Sequence, residues 1–206
     1  MGLTNTSNRT SKIVTIVRGK FTIRLPEGVD DPNAVERTLE KGANAGKVIK
    51  ELQYTGIEGV IKGAYVDESD FGTNFVTELE DDEGSRFKLQ IPIDSQFFGQ
   101  YAKRIPNIVK DKSLFLGLGY DRERERHFLY AKQEGNKVPM KFTKDEPNNM
   151  PPPVQKTVKG KTVWDWEEQE NFLYEIAIDF AGSFESAVDK VVETFNAKEV
   201  SQDIPF

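Results

Sequence analysis

The sequence predicts a mainly β fold, a five-stranded barrel extended at its N-terminal side by one or more β-hairpins and followed by a C-terminal amphipathic helix. Three observations predict it. Between residues 57 and 133, short segments of alternating apolar and polar residues are separated by turn residues, a period of two that suits strands with one face buried. A single stretch of helical character, SQFFGQYAKRI at 95–105, interrupts them. After Asp165, apolar residues from Leu173 to Phe195 recur at spacings of three and four, the stripe of an amphipathic helix or of two with a break near Gly182-Ser183.

The elements follow in chain order. KIVTIVRGKFTIRL (12–25) is rich in β-branched residues and reads as a strand or a hairpin about Gly19. Its odd positions are mostly apolar (Ile13, Val17, Phe21, Ile23, Leu25) and its even positions collect Lys12, Arg18, Lys20 and Arg24, which predicts a core face on the odd side and a cationic one opposite. Residues 35–40 and 47–54 flank the turn-like Gly42–Gly46 and predict a second hairpin. IEGVIKGAYVDE (57–68) is a long strand whose Gly59 and Gly63 suit sharp coiling. FVTELE (75–80), an acidic tip at 81–84 and RFKLQIPI (86–93) make the next two strands. Asp94 or Ser95 can cap the short helix, which should end by Pro106. SLFLGLGYD (113–121) and RHFLYAKQ (126–133) complete the barrel. Residues 134–163, with Pro147, Met150-Pro-Pro-Pro153 and several lysines, read as loop, and Asp165-Trp-Glu-Glu168 as a capping box opening the helix.

Composition narrows the function. There is no cysteine and one histidine, so disulfides, thiolate zinc sites, a cysteine nucleophile and a His-rich metal site are all excluded. The phosphate-loop fingerprint fails at GANAGK (42–47), with three residues between the glycines and Val48 after the lysine. EDDEG (80–84) reads as a solvated hairpin tip, and His127 has no Ser or Asp placed beside it by a catalytic motif. No enzyme, cofactor or metal is expected. The charge is asymmetric. Residues 1–163 hold 26 Lys+Arg against 23 Asp+Glu, residues 164–206 hold 2 against 11, and residues 1–26 carry five cations and no acid. A basic-leaning body with an acidic tail is a pattern of nucleic-acid proteins. No apolar signal segment opens the chain and no run is long enough to span a membrane, so a cytoplasmic location is expected.

Binding a single strand without sequence preference needs cations that follow phosphates and exposed rings on which bases stack. With Leu129 and Ala131 inward, Arg126, Phe128, Tyr130 and Lys132 share the other face. Tyr120 adjoins Arg122 and Arg124, and Arg86 and Lys88 face away from Phe87 and Leu89. Arg18, Lys20, Arg24, Lys62, Phe75 and Trp164 extend this candidate nucleic-acid set.

Strand, strand, strand, short helix, strand, strand is the element order of the OB barrel, a Greek-key fold that often binds single strands. The last four residues, Asp203-Ile204-Pro205-Phe206, resemble the C-terminal tip of bacterial and phage OB-fold single-stranded DNA-binding proteins. Residues 136–166, NKVPMKFTKDEPNNMPPP…KGKTVWDW, are similar to OB-fold single-strand binders of tailed phages. The resemblance implies a protein that coats single-stranded DNA in replication, repair and recombination inside the bacterial host. It also implies that replication and repair proteins dock on the tip, with the Phe206 ring in an apolar pocket and its carboxylate against a basic side chain. The expected organisation is an OB domain with its strand extension over 1–163, a helical segment over 164–196 and a flexible interaction tip over 197–206. A homo-oligomer is among the assemblies considered, and an OB-fold RNA binder or a protein adaptor that binds no nucleic acid is the alternative.

Overall fold

The computed structural model describes residues 12–40, 42, 44–69 and 72–199, with side chains described up to residue 184. The tip residues Asp203, Ile204, Pro205 and Phe206 lie outside the described residues.

Among the described residues, twelve strands and two α-helices make a mainly β protein. Strands β1 (Lys12–Val17) and β2 (Lys20–Arg24) form a hairpin, as do β3 (Val35–Thr38) and β4 (Val48–Tyr54). Strands β5 (Gly56–Ser69), β6 (Gly72–Glu80) and β7 (Arg86–Pro92) form an antiparallel meander. Helix α1 (Gln96–Ala102) follows, with the Ser95 hydroxyl accepting from the Phe98 amide at 3.2 Å. A single 3-10 turn at Ile105–Asn107 carries Pro106. Strands β8 (Ser113–Asp121) and β9 (Arg126–Gln133) return beside β5, and β10 (Asn136–Lys137) adds a short edge. The chain ends in a separate ribbon, β11 (Val154–Val158) with β12 (Lys161–Asp165), and helix α2 (Glu167–Glu199).

Ten strands form one mixed sheet in the order β10-β9-β8-β5-β6-β7-β1-β2-β4-β3, which is not closed. Three hairpin-connected strands, β5 to β7, with β8 returning through α1 to lie beside β5, give the spatial order of a Greek key. The free edge of β7 is taken by β1, running parallel to it with Val14 beside Leu89.

One side of β5 to β9 is committed to the core. Ile61, Ala64, Phe75, Leu79, Leu89, Ile91, Leu114, Leu116, Leu129 and Ala131 are buried there against Phe98, Tyr101 and Ala102 of α1 and Leu173, Ala177, Phe180 and Ala181 of α2. Phe75 is fully buried, its ring centroid 6.0 Å from that of Phe98 and 6.2 Å from that of Tyr101. The Thr77 hydroxyl donates to the Tyr101 hydroxyl at 3.3 Å, and burial pushes the Tyr101 phenol up to about 12. The Gln100 side chain accepts from the Leu129 amide at 2.6 Å and ties α1 to β9. Buried Gln133 accepts from the Val109 amide at 2.9 Å and donates to the Val109 carbonyl at 2.8 Å, pinning the segment before β8.

Four expectations are corrected. The inward side of β1 is even, not odd: Val14 is buried and Ile13 is half exposed, because the pairing with β7 places Val14 beside inward Leu89. The two-residue turn Arg18-Gly19, both with positive φ, then begins β2 with Val17 opposite Lys20, so inward Phe21 faces inward Ile16. Residues 134–163 are not all loop, since they contain β10, β11 and most of β12. Helix α2 runs unbroken through Gly182-Ser183 from Glu167. Asp165 closes β12 and accepts from the Glu167 amide at 3.1 Å rather than serving as the first cap of a box.

Phe75→Ala removes the ring at the centre of this layer. The expected cost is about 3–5 kcal/mol of unfolding free energy, read as a lowered urea midpoint.

Candidate nucleic-acid interface

The outward side of β8 and β9 follows from the register. Leu118, Leu116 and Leu114 pair with Leu129, Ala131 and Gln133 on the inner side, so Gly119–Phe128, Gly117–Tyr130 and Phe115–Lys132 are the outer pairs. Three aromatic rings stand on this outer side, and each lies over a glycine of the neighbouring strand. A Cβ placed on Gly119 would meet the Phe128 ring at 2.4 Å, one on Gly117 the Tyr130 ring at 2.3 Å, and one on Gly56 of β5 the Phe115 ring at 2.5 Å. The centroids of Phe115 and Tyr130 are 6.0 Å apart, those of Tyr130 and Phe128 6.2 Å. The result is a row of rings seated over backbone, with Phe128 37% exposed and Phe115 and Tyr130 half-buried.

Cations stand at both ends of the row. Lys132 lies 5.8 Å from the Tyr130 ring centroid. Arg126 stands opposite Asp121 beyond Phe128, where the β8–β9 turn carries Arg122 and Arg124. The Asp121 carboxylate accepts from the Glu123 and Arg124 amides at 3.1 and 3.2 Å, folding this turn back on itself, with the Arg124 guanidinium 3.9 Å away. His127 faces inward, its ring tilted at 55° against that of Tyr120 with centroids 4.9 Å apart, and pressed against Gly19, where an added Cβ would meet it at 2.2 Å. That contact seats the β1–β2 turn against the inward side of this end of β9, with Arg18, which is paired with Glu40, and Lys20 flanking Gly19. Arg122, Arg126, Lys132, Lys20 and Arg24 have no ion pair among the described residues. Arg24 faces Glu51 across β2 and β4, where the buried Glu51 carboxylate is held by Arg37 at 3.0 Å.

The same outer side continues over β5 to β7, but there the cations are matched. Arg86 pairs with Glu80 at 2.8 Å, and Lys62, at the bulge between Ile61 and Gly63, reaches the same carboxylate at 3.4 Å. The Arg86 hydrogen bond holds the Glu80 carboxyl below the usual carboxylate range, with Lys62 adding to it. Lys88 pairs with Glu78 at 2.9 Å and donates to the Tyr65 hydroxyl at 3.1 Å, and these two hydrogen bonds hold its ammonium well above the ordinary lysine value.

The structure therefore divides the candidate residues. Phe128, Tyr130, Lys132 and Arg126 share the outer side as expected, with Arg122 and Arg124 in the turn beyond Phe128, whereas Arg18 and Lys20 flank Gly19 under the inward side of β9. Arg86, Lys88 and Lys62 share the side but are neutralised by Glu78 and Glu80. Two assignments are corrected. Phe75 is core and presents no ring to a ligand. Tyr120 is 52% exposed but has the inward parity of Leu116 and Leu118, so it stands with His127 and not with the ring row. Trp164 lies away from the row, on the β11–β12 ribbon. Phe115 and the glycines beneath the rings were missed by sequence reasoning. The available signal was the alternation Phe115-x-Gly117-x-Gly119 on one strand opposite Phe128-x-Tyr130 on the next.

Rings seated over glycine α-carbons shift the α-proton resonances of Gly117 and Gly119 upfield. Tyr130→Ala is expected to return Gly117, and Phe128→Ala Gly119, to ordinary values in proton NMR spectra. No family model matches the chain, and no curated protein or solved structure matches it.

Proposed function

We propose that this protein binds single-stranded DNA without sequence preference through the outer side of β8 and β9, on an OB-type barrel left open between β9 and β7. The observation that carries the proposal is the row Phe115, Tyr130 and Phe128, seated over Gly56, Gly117 and Gly119 and flanked by Arg126 and Lys132, which have no ion pair among the described residues. A ring already held against backbone loses little rotamer freedom when a base stacks on its free face, and such stacking contributes about 1–3 kcal/mol per base. The flanking cations supply the sequence-independent term, release of counterions from phosphates. The Greek-key order of β5 to β8, with α1 in the long connection, supports the OB assignment.

Coating of DNA during phage replication, repair or recombination, and recruitment of partners by Asp203-Ile204-Pro205-Phe206, rest on the sequence resemblance. Among the described residues no helix is long and apolar enough to cross a membrane.

Titration with a thymidine strand tests the reading. Binding is expected at low salt, with log K falling against log salt by about 0.7 for each phosphate contact. Phe128→Ala should weaken binding by about 1–3 kcal/mol. Gly117→Ala and Gly119→Ala should also weaken it, although neither removes a ring or a charge, because the new methyl group displaces the ring above it. No binding at low salt overturns the proposal, and tighter binding of the matched RNA strand redirects it to RNA. Deleting residues 199–206 is expected to raise affinity at low salt, since the acidic segment would compete with DNA for the cationic face.

A further inference from the structure

The β11–β12 ribbon stands apart from the ten-stranded sheet and is exposed along nearly its whole length, on both sides. An isolated two-stranded hairpin is marginally stable in water, so this one offers both surfaces to a ligand at little cost in lost packing. Its turn is Lys159-Gly160, both with positive φ, the two-residue connection that matches strand twist. The register divides its side chains. Gln155, Thr157, Thr162 and Trp164 share one side, and Val154, Lys156, Val158, Lys161, Val163 and Asp165 the other. Between 154 and 164 there are three lysines and no acid. Lys156 is held by Asp165 at the root, while Lys159 and Lys161 at the tip have no ion pair among the described residues. The acids cluster at the root, where Asp165, Glu167 and Glu168 line a hollow of about 340 Å³ with Lys156. Charge therefore favours phosphates at the tip over the root.

We infer that the ribbon is a second, separate contact for the same single strand, resting on the function proposed above. Lys159 and Lys161 take phosphates at the tip, and the strand follows the β12 edge so that Trp164, 55% exposed on the side opposite to Lys161, stacks on a base. The charge excess argues against a second copy of the ribbon as occupant, because it would bring like charges together. A strand long enough to leave the ring row engages the ribbon, and a short one does not.

The test compares thymidine strands of about 6 and about 30 nucleotides, lengths on either side of one barrel's usual footprint. The double variant Lys159→Ala/Lys161→Ala is expected to bind the short strand as the wild type does. For the long strand its salt slope should be shallower by about 1.4, and its affinity near 0.1 M salt on the order of 20-fold lower. In a Trp166→Phe background, where Trp164 is the remaining tryptophan, the long strand should quench emission and the short one should not. Wild-type slope and affinity on the long strand overturn the inference and leave the ring row standing. Equal losses on both lengths also overturn it, since the contact would then not be separate. If the wild type binds neither strand, the underlying function fails and the ribbon's role falls with it.

Discussion

The commitment of one side of β5 to β9 to the hydrophobic core governs the rest of this structure. Leu79, Leu89, Leu116, Leu129 and Phe75 must face α1 and α2 to escape water, and a strand alternates with a period of two. Once those residues are inward, Phe128, Tyr130, Phe115, Arg126 and Lys132 have only the other side. A slip of one residue between β8 and β9 would expose Leu129 and bury Arg126, so the register is fixed by the cost of that exchange. The ring row is thus a by-product of core formation, and its placement needs no interaction of its own beyond the glycines that receive it.

Alternation also decides what the sequence makes legible. β7, β8 and β9 each carry a clean apolar parity, and their register is readable from it. β6 does not, because Phe75, Val76 and Thr77 are all buried and a run buried on both sides has no period to read. That is why Phe75 resembles a candidate ring. Tyr120 is the reverse case: its parity with Leu116 is visible, but its neighbours Arg122 and Arg124 suggest another grouping. β1 was misread because its partner is β7, over seventy residues away, and a parallel pairing at that separation leaves no local trace. The β11–β12 ribbon was obscured by the prolines before it, although its Lys159-Gly160 turn repeats the form of Arg18-Gly19 and Glu134-Gly135.

Electrostatics sharpens the division that topology begins. Cations on β5 to β7 are matched by Glu78 and Glu80, whereas those around β8 and β9 are mostly left without a partner. Surface ion pairs of the first kind contribute little to stability, but they remove positive potential from the area they occupy. Cations without an ion pair among the described residues are thereby concentrated beside β8 and β9, where Glu58 and Glu134 also line the hollow next to Phe115 and Lys132.

The two ends of the ten-stranded sheet are short: β10 has two residues and β3 has four. An edge strand's unpaired amides and carbonyls are a template on which another chain can add, and abbreviated edges offer it poorly. The longer edges of β11 and β12 carry lysines instead, a second means to the same end. On the proposed function, many copies would line one polymer at high local concentration. Edges that refuse to pair would then keep neighbours from fusing into a continuous sheet, so that the assembly could come apart again.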